Sequence, residues 1–161
     1  MHGSHFEEAD FFRAIDRNEA RALLIGRRAL VALGLPLLTA DYDFWVAEAD
    51  LEHFAKALEP FDLFPNKSFD EARRQGRLVF ENDEHIDVLC CRSLVRGNLR
   101  LDFDAIWQRR RRIDFGDGVM VYVPCTEDII ATKRFSGRPK DIEDIRLLEA
   151  IQRPREEGND D

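Results

Sequence analysis

Two aspartates, Asp41 and Asp43, stand one residue apart at the start of a short apolar run, 44–46. In a β-strand, residues i and i+2 point to the same face, so both carboxylates converge on one place. Acids beside apolar sequence repel one another and resist burial unless a cation joins them. Mg²⁺ suits such a place, because it is usually held by one or two carboxylates together with phosphate oxygens. The pattern therefore predicts a strand that carries a cation site.

Two further segments extend this prediction. A third acid, Asp87, lies within the apolar run 86–89, and the apolar segment 22–25 runs into Gly26. The helix predicted over 27–33 would offer amide N–H groups to a phosphate, and Gly26 would let the backbone approach a ligand closely. These are the parts needed for two-metal phosphoryl or nucleotidyl transfer, in which two cations about 3.5–4 Å apart clamp the attacking and leaving oxygens.

Composition sets the limits for the whole chain. The 161 residues predict one domain over 1–152 followed by a polar tail over 153–161. A net charge of −8 argues against nonspecific binding to a DNA or RNA backbone, which requires a basic surface. No apolar run approaches the roughly 18 residues of a membrane helix, so no membrane partner is predicted. Three cysteines make no disulfide framework, which predicts a reducing, cytoplasmic setting with the cysteines as small core residues.

Hydrophobic periodicity, together with glycine and proline, predicts a mixed order of helices and strands. The predicted class is α/β or α+β, and we favour α+β, with one mixed β-sheet flanked by helices and two C-terminal helices. Asp50 is the predicted N-cap of the helix over 51–58. The predicted helices are 5–19, 27–33, 51–58, 103–110, 126–135 and 141–152; the predicted strands are 21–25, 42–47, 61–64, 78–80, 85–91, 112–115 and 119–123; and 66–75 is predicted as a polar loop.

In order and spacing these motifs resemble those of the nucleotidyltransferase superfamily related to DNA polymerase β. The match consists of Ile25-Gly26-Arg27, a spacer of thirteen residues, Asp41-Tyr42-Asp43-Phe44 and then Ile86-Asp87-Val88. The segment from Lys133 to Asp144 is also similar to the Lys-x-x-x-Gly-Arg-x-Lys-Asp-x-x-Asp stretch of small bacterial members. Together these matches span roughly residues 20–150.

The resemblance implies a nucleotidyltransferase-like fold and Mg²⁺-dependent transfer of a nucleoside monophosphate from a nucleoside triphosphate to a hydroxyl. The acceptor would be a protein, an RNA end or a small molecule, and a helical partner protein in a toxin–antitoxin module is one implied setting. The implied roles are metal ligands for Asp41, Asp43 and Asp87, with Asp87 also activating the acceptor, and phosphate contact for Gly26, Lys133, Arg138 and Lys140.

One residue departs from the family pattern. Arg27 stands where the family has a second glycine or a serine, and it is followed by Arg28. Its side chain would either block the triphosphate or clasp it with a guanidinium fork. The alternative to an enzyme is therefore a catalytically inactive nucleotidyltransferase fold that serves as a binding or regulatory protein.

Simpler interpretations of the other features stay open. Asp41 or Asp43 could be a turn former, and His85 could reach the cleft of Asp87 or be a solvated residue at a strand start. Asp144 could pair with a basic residue on the helix surface. The run 109–112 could be an anion or RNA patch, although a solvated helix end is the more usual role of such a run.

Overall fold

The computed structural model describes residues 6–159, and side chains through residue 152. Residue 5 of the predicted first helix and residues 160–161 of the predicted tail lie outside this range. The helices are α1 (Glu8–Asn18), α2 (Gly26–Ala32), α3 (Leu51–Leu58), α4 (Phe69–Gln75), α5 (Phe103–Gln108), α6 (Thr126–Ser136) and α7 (Pro139–Asn159). The strands are β1 (Ala22–Ile25), β2 (Tyr42–Val46), β3 (Phe64–Pro65), β4 (Arg77–Glu81), β5 (His85–Leu89), β6 (Ser93–Arg96), β7 (Leu99–Asp102), β8 (Arg111–Asp114) and β9 (Met120–Val123).

A five-stranded mixed sheet organises the domain, in the order β1-β2-β5-β4-β3. Strands β2 and β5 run parallel, whereas the other neighbouring pairs are antiparallel. Two separate hairpins, β6–β7 and β8–β9, flank it. The predicted α+β class with a mixed sheet and two C-terminal helices is confirmed, and the two hairpins add to the single predicted sheet.

The two faces of this sheet carry different cores. In β2, Tyr42, Phe44 and Val46 face a large cluster that includes Phe11 of α1. Trp45, fully buried, faces a smaller cluster on the opposite side, which contains side chains of α5. Because side chains alternate along a strand, Asp43 shares the face of Trp45. The second acid of the motif therefore lies on the smaller-cluster face, where the apolar layer ends.

Three elements differ from the sequence prediction. Residues 69–75 form helix α4 rather than a loop, because Ser68 caps it by accepting a hydrogen bond from the Glu71 amide at 3.2 Å, and Ala72 is buried. The hairpin β6–β7 was not predicted. Helix α7 continues to Asn159, past the predicted end at 152 and into the predicted polar tail.

Smaller corrections concern residues near α3. Asp50 precedes α3 as predicted, but its carboxylate makes no capping bond. It accepts instead from the backbone N–H and Nε of Arg21, at 3.0 and 2.8 Å. The strand predicted over 61–64 overlaps β3 only at Phe64, because residues Glu59–Phe61 form a short 3₁₀ helix and the strand begins after it.

The remaining elements agree with their predictions to within a few residues. Gly137 ends α6 with a left-handed φ of 63°, as its position before Pro139 predicted. Cys90 is buried, whereas Cys91 and Cys125 are half-buried, and all three are free thiols. Along the described part of the chain, no helix combines the length and the apolar character that crossing a bilayer requires.

Candidate active site

Asp43 and Asp87 lie side by side. Strands β2 and β5 are parallel neighbours, and their register pairs Asp43 directly with Asp87. In β5, Ile86 and Val88 face the large core cluster, so Asp87 points to the same side of the sheet as Asp43. Two acids distant in sequence thus occupy adjacent positions on one face.

Gly26 lies against the Asp43 carboxylate from the β1 side of β2, whereas Asp87 flanks it from the β5 side. Gly26 follows β1, whose Ile25 pairs with Asp43, and it adopts a left-handed φ of 67°. A Cβ added to Gly26 would lie 2.6 Å from Oδ2 of Asp43. The close approach of backbone to carboxylate therefore requires glycine, both for space and for conformation.

We expect Gly26→Ala to lower the free energy of unfolding by more than the strain of placing an L-residue in a left-handed conformation. Gly97 is a matched control, because its φ is 59° and nothing lies within 4 Å of an added Cβ. Gly97→Ala should cost about 1–2 kcal/mol of unfolding free energy, the strain of an L-residue in this region. Gly26→Ala should cost clearly more, since Asp43 must also move. Equal losses in denaturant unfolding would contradict the close contact.

A cleft of about 520 Å³ surrounds these residues. Its walls come from the sheet, from the loop before β2, and from α6 with the start of α7. Every residue singled out from the sequence as a metal or phosphate contact lines this cleft: Gly26, Arg27, Asp41, Asp43, Asp87, Lys133, Arg138 and Lys140. The structure thus brings together residues that are far apart in the sequence.

Electrostatics at Asp43 reflect this crowding. Burial raises the pKa of Asp43 to about 6, with Asp87 and Asp41 adding to the rise and Lys140 and Arg138 opposing it. A carboxylate with two acidic neighbours and little water is under charge repulsion. A bound cation would relieve that repulsion.

The donor set suits a hard divalent cation, because it consists of carboxylate oxygens beside a backbone approach that only glycine allows. Within the described residues, however, no three acidic, histidine or cysteine side chains are grouped closely enough to hold a metal by themselves. Mg²⁺ commonly takes only one or two carboxylates and completes its shell with phosphate and water, so a full protein cage is not required.

His85 reaches Asp87. Its Nε2 lies 3.3 Å from Oδ2 of Asp87, while the imidazole stays half-exposed. Both interpretations of His85 thus hold in part, because it is solvated at the start of β5 and also contacts the third acid.

The opposite wall of the cleft is a buried charge network. Lys133, only 5% exposed, donates from Nζ to Oδ2 of the fully buried Asp144 at 3.0 Å and lies 3.9 Å from Asp141. Arg138 donates to Asp141 from both its backbone N–H and its Nε. The alternative that Asp144 pairs with a basic residue holds, but not on the helix surface, because α7 turns this side chain inward beside Ile145.

Arg27 joins this network. Its Nη2 lies 3.3 Å from Oδ1 of Asp144, which makes an ion pair but no hydrogen bond. Arg27 Nε and Asp144 Oδ1 are both buried without a hydrogen-bond partner among the described residues. The side chain of Arg27, which stands where the family has a second glycine or a serine, is thus directed to α7 in the wall of the cleft.

Lys140 differs from the other basic residues of the cleft. It is exposed, and within the range of described side chains no carboxylate forms an ion pair with it. Together with Arg138, it lowers the pKa of Asp43 through its charge. Its ammonium is therefore available to an anionic ligand beside the acids, whereas that of Lys133 is already engaged.

The basic run 109–112 is not a simple solvated helix end. Arg109 donates two hydrogen bonds of 2.9 Å to Asp128, and Arg110 stacks over the rings of Trp107 and Tyr122. Arg111 and Arg112 are exposed at the start of β8. Since two of the four side chains are occupied by the fold, the run does not form a continuous anion patch.

The geometry adds residues that the sequence did not single out. Arg28 and Thr39 bind the segment that carries Asp41. Asp144 was named from its motif, and its burial also had a detectable signal, because Asp141 and Asp144 share one helical face with Ile145 and Leu148. An acid within an apolar stripe indicates a buried partner.

The fold can now be compared with known proteins. No family model matches the chain, and no curated protein matches it. Among solved structures, the solution structure of the antibiotic-resistance factor ANT(2'')-Ia superposes with a TM-score of 0.60 at 16% identity, covering 94% of this chain and 91% of that one. The crystal structure of ANT(2'')-Ia in complex with adenylyl-2''-tobramycin gives 0.63 at 16% identity, covering 89% and 86%.

A third solved structure also superposes on this chain. A protein from Thermotoga maritima, TM1012, that is assigned as a nucleotidyltransferase gives a TM-score of 0.55 at 12% identity, covering 94% of this chain and 99% of that one. The chain therefore has the nucleotidyltransferase fold, as the resemblance implied. At these identities the likeness concerns the fold, and the chemistry has to be argued from the cleft.

Proposed function

We propose that this chain is a Mg²⁺-dependent nucleotidyltransferase, which transfers a nucleoside monophosphate from a nucleoside triphosphate to a hydroxyl. One observation carries the proposal. In a nucleotidyltransferase fold, Asp43 and Asp87 occupy paired positions on adjacent parallel strands, against a glycine that approaches the Asp43 carboxylate. This is the arrangement expected for carboxylates that hold cations against a triphosphate.

Asp41, Asp43 and Asp87 would supply carboxylate oxygens to the metal, and phosphate and water would complete its shell. When bound there, Mg²⁺ would neutralise charge on the phosphates and orient them for in-line attack. The carboxylates' own contribution is position, since Asp43 is fixed between β1 and β5 by its strand pairing. Little covalent chemistry is asked of the protein in such reactions, so positioning and charge account for most of the rate.

The reaction needs one bond to form and one to break. The acceptor oxygen bonds to the α-phosphorus, the bond from that phosphorus to the oxygen bridging to the β-phosphate breaks, and pyrophosphate leaves. Asp87 is suited to take the hydroxyl proton, because its side chain lines the cleft and is 37% exposed. Lys140 and Arg138 would bind phosphate oxygens opposite the acids.

The proposal covers three classes of hydroxyl acceptor. ANT(2'')-Ia is described in complex with adenylyl-2''-tobramycin, an adenylylated small molecule, which supports a small-molecule hydroxyl as one acceptor class for this fold. The resemblance adds a protein hydroxyl and an RNA 3′ end, and also a helical partner protein in a toxin–antitoxin module. A search for the acceptor should therefore offer all three classes.

The inactive alternative makes the opposite prediction about nucleotides. If Arg27 closes the phosphate site, the chain binds no triphosphate and its stability does not respond to one. The ion pair with Asp144 favours the active proposal, because it directs the guanidinium toward α7. From there, Arg27 remains a candidate phosphate contact.

Thermal or denaturant unfolding with Mg²⁺ and each of the four nucleoside triphosphates separates these functions. For the triphosphate that binds, we expect about 2.7 kcal/mol of stabilisation at a hundredfold excess over its Kd. Chelation of Mg²⁺ and the variant Asp43→Ala should each remove the effect. If none of the four triphosphates stabilises the wild type in Mg²⁺, the inactive alternative stands and the enzymatic proposal fails.

A further inference from the structure

Arg28 connects four groups around the loop that ends at Asp41. Its Nη2 donates to the carbonyl oxygen of Thr39 at 2.8 Å and its Nε donates to that of Asp41 at 3.3 Å. Its Nη1 lies 3.2 Å from a carboxylate oxygen of Glu8, and its guanidinium lies 4.1 Å from the ring centroid of Tyr42. With a side chain only 15% exposed, Arg28 is largely held within the protein.

The guanidinium is itself fixed by its partners. The Tyr42 hydroxyl donates to the same Glu8 oxygen at 2.6 Å, so Glu8 binds Arg28 and Tyr42 together. The ring of Tyr42 packs among aromatic side chains, including Phe6 and Phe11, on the face of the sheet opposite Asp43. A planar guanidinium stacked on a buried ring and paired with a carboxylate has few alternative positions.

The position of Asp41 depends on this arrangement, because Asp41 lies outside the β-strands. It precedes β2, and its segment from residue 35 is irregular backbone. Arg28 binds carbonyls on both sides of Ala40, and the Asp41 amide donates to Oγ1 of Thr39 at 3.1 Å. These contacts tie the backbone of Asp41 to α2, the helix that begins at Gly26.

We propose that Arg28 positions Asp41 as a metal ligand, by clamping the carbonyl oxygens of Thr39 and Asp41 to α2. The proposal rests on the proposed function, since it takes Asp41 to be a ligand. Arg28 does not line the cleft, so it acts through Asp41 and is a positioning residue. Partners that orient metal ligands typically contribute 10–100-fold to metal affinity.

The direction of the effect separates positioning from simple electrostatics. Arg28 is a cation close to a cation site, so removing its charge without moving Asp41 would strengthen metal binding. Loss of the clamp would weaken metal binding, because Asp41 would sample other positions. The two effects have opposite signs, and the measurement therefore distinguishes them.

The test is Mn²⁺ binding to the full chain, measured by electron paramagnetic resonance with Mn²⁺ alone, because a free triphosphate would itself chelate the metal. For Arg28→Met we expect an apparent Kd for Mn²⁺ at least tenfold above that of the wild type, and for Arg28→Lys, which keeps the charge and one donor, an intermediate value. Arg73→Met is the matched control, because Arg73 likewise joins a carboxylate, Glu52, and a backbone carbonyl, that of Glu48, but outside the cleft. Its Kd should equal that of the wild type.

Should Arg28→Met fail to fold, Tyr42→Phe weakens the same clamp without changing any charge, because it removes the hydroxyl bonded to Glu8, and it should raise the Kd in the same direction by a smaller factor. An unchanged or tighter Kd in the folded Arg28 or Tyr42 variant overturns the positioning role and leaves the proposed function standing. A wild type that binds neither Mn²⁺ nor triphosphate overturns both.

Discussion

Asp43→Asn is expected to lose nucleotidyl transfer by at least about a thousandfold while the free protein becomes more stable. The loss follows because metal ions contribute several kcal/mol to the stabilisation of transition-state charge, and each 1.36 kcal/mol is a factor of ten in rate. Asp43 is the acid most tightly held, since it is paired in register with both Ile25 and Asp87.

The gain in stability has a separate cause. Burial beside Asp87 and Asp41 raises the pKa of Asp43 to about 6, so the folded state holds the proton more tightly than the unfolded chain. The charged form of Asp43 therefore destabilises the folded protein fully above pH 6. This destabilisation fades as the pH falls toward the pKa that Asp43 has in the unfolded chain. At pH 8 without metal, Asp43→Asn should gain about 1–2 kcal/mol, after allowance for residual solvent screening.

Denaturant unfolding of the free protein measures the stability gain. Asp70→Asn provides the control, because Asp70 is an exposed residue of α4 and its substitution should stay within about 0.5 kcal/mol of the wild type. A stability at pH 8 equal to or below that of the wild type would mean that neither burial nor the acidic neighbours destabilise the charged form of Asp43.

Lys133→Met is expected to cost about 3 kcal/mol of unfolding free energy. Lys133 is the buried cation between Asp144 and Asp141, and removing one partner of a buried ion pair typically costs 3–5 kcal/mol. We expect the lower end of that range, because Arg27 stays beside Asp144 and Arg138 stays beside Asp141.

Two comparisons make the Lys133 prediction specific. Lys56→Met removes an exposed lysine of α3 and should change stability by no more than about 0.5 kcal/mol. The double variant Lys133→Met with Asp144→Asn should be more stable than Lys133→Met alone, because the stranded buried charge is gone. A Lys133→Met protein as stable as the wild type would show that the network is not a buried ionic cluster.

Local patterns made much of the fold predictable. The apolar segment before Gly26, the alternation around Asp87 and the glycine–proline boundary at 137–139 each act within a few residues, and each predicted its element. Helix α4 was missed because its run is polar and short, with Ala72 as its one fully buried residue. The hairpin β6–β7 was missed because Leu94 and Val95 are adjacent rather than alternating, and Val95 is 60% exposed.

The sequence predicted which residues line the candidate site, but not how these residues are arranged. Family-like motifs identified the acids, yet the pairing of β2 with β5 joins segments far apart in sequence, and no local pattern encodes it. The clamp of Arg28 on the loop before β2 and the burial of Asp144 likewise depend on packing between distant elements. The direction of the Arg27 side chain, toward Asp144 of α7, likewise depends on packing between distant elements.

The most direct test of the central claim is transfer of label from α-labelled nucleoside triphosphates by the wild-type protein in Mg²⁺, with protein, RNA and small-molecule hydroxyls offered as acceptors. The account predicts incorporation that requires Mg²⁺ and is lost in Asp43→Asn. Incorporation that is equal in the wild type and Asp43→Asn, or no incorporation from any of the four triphosphates into any acceptor class, would contradict it.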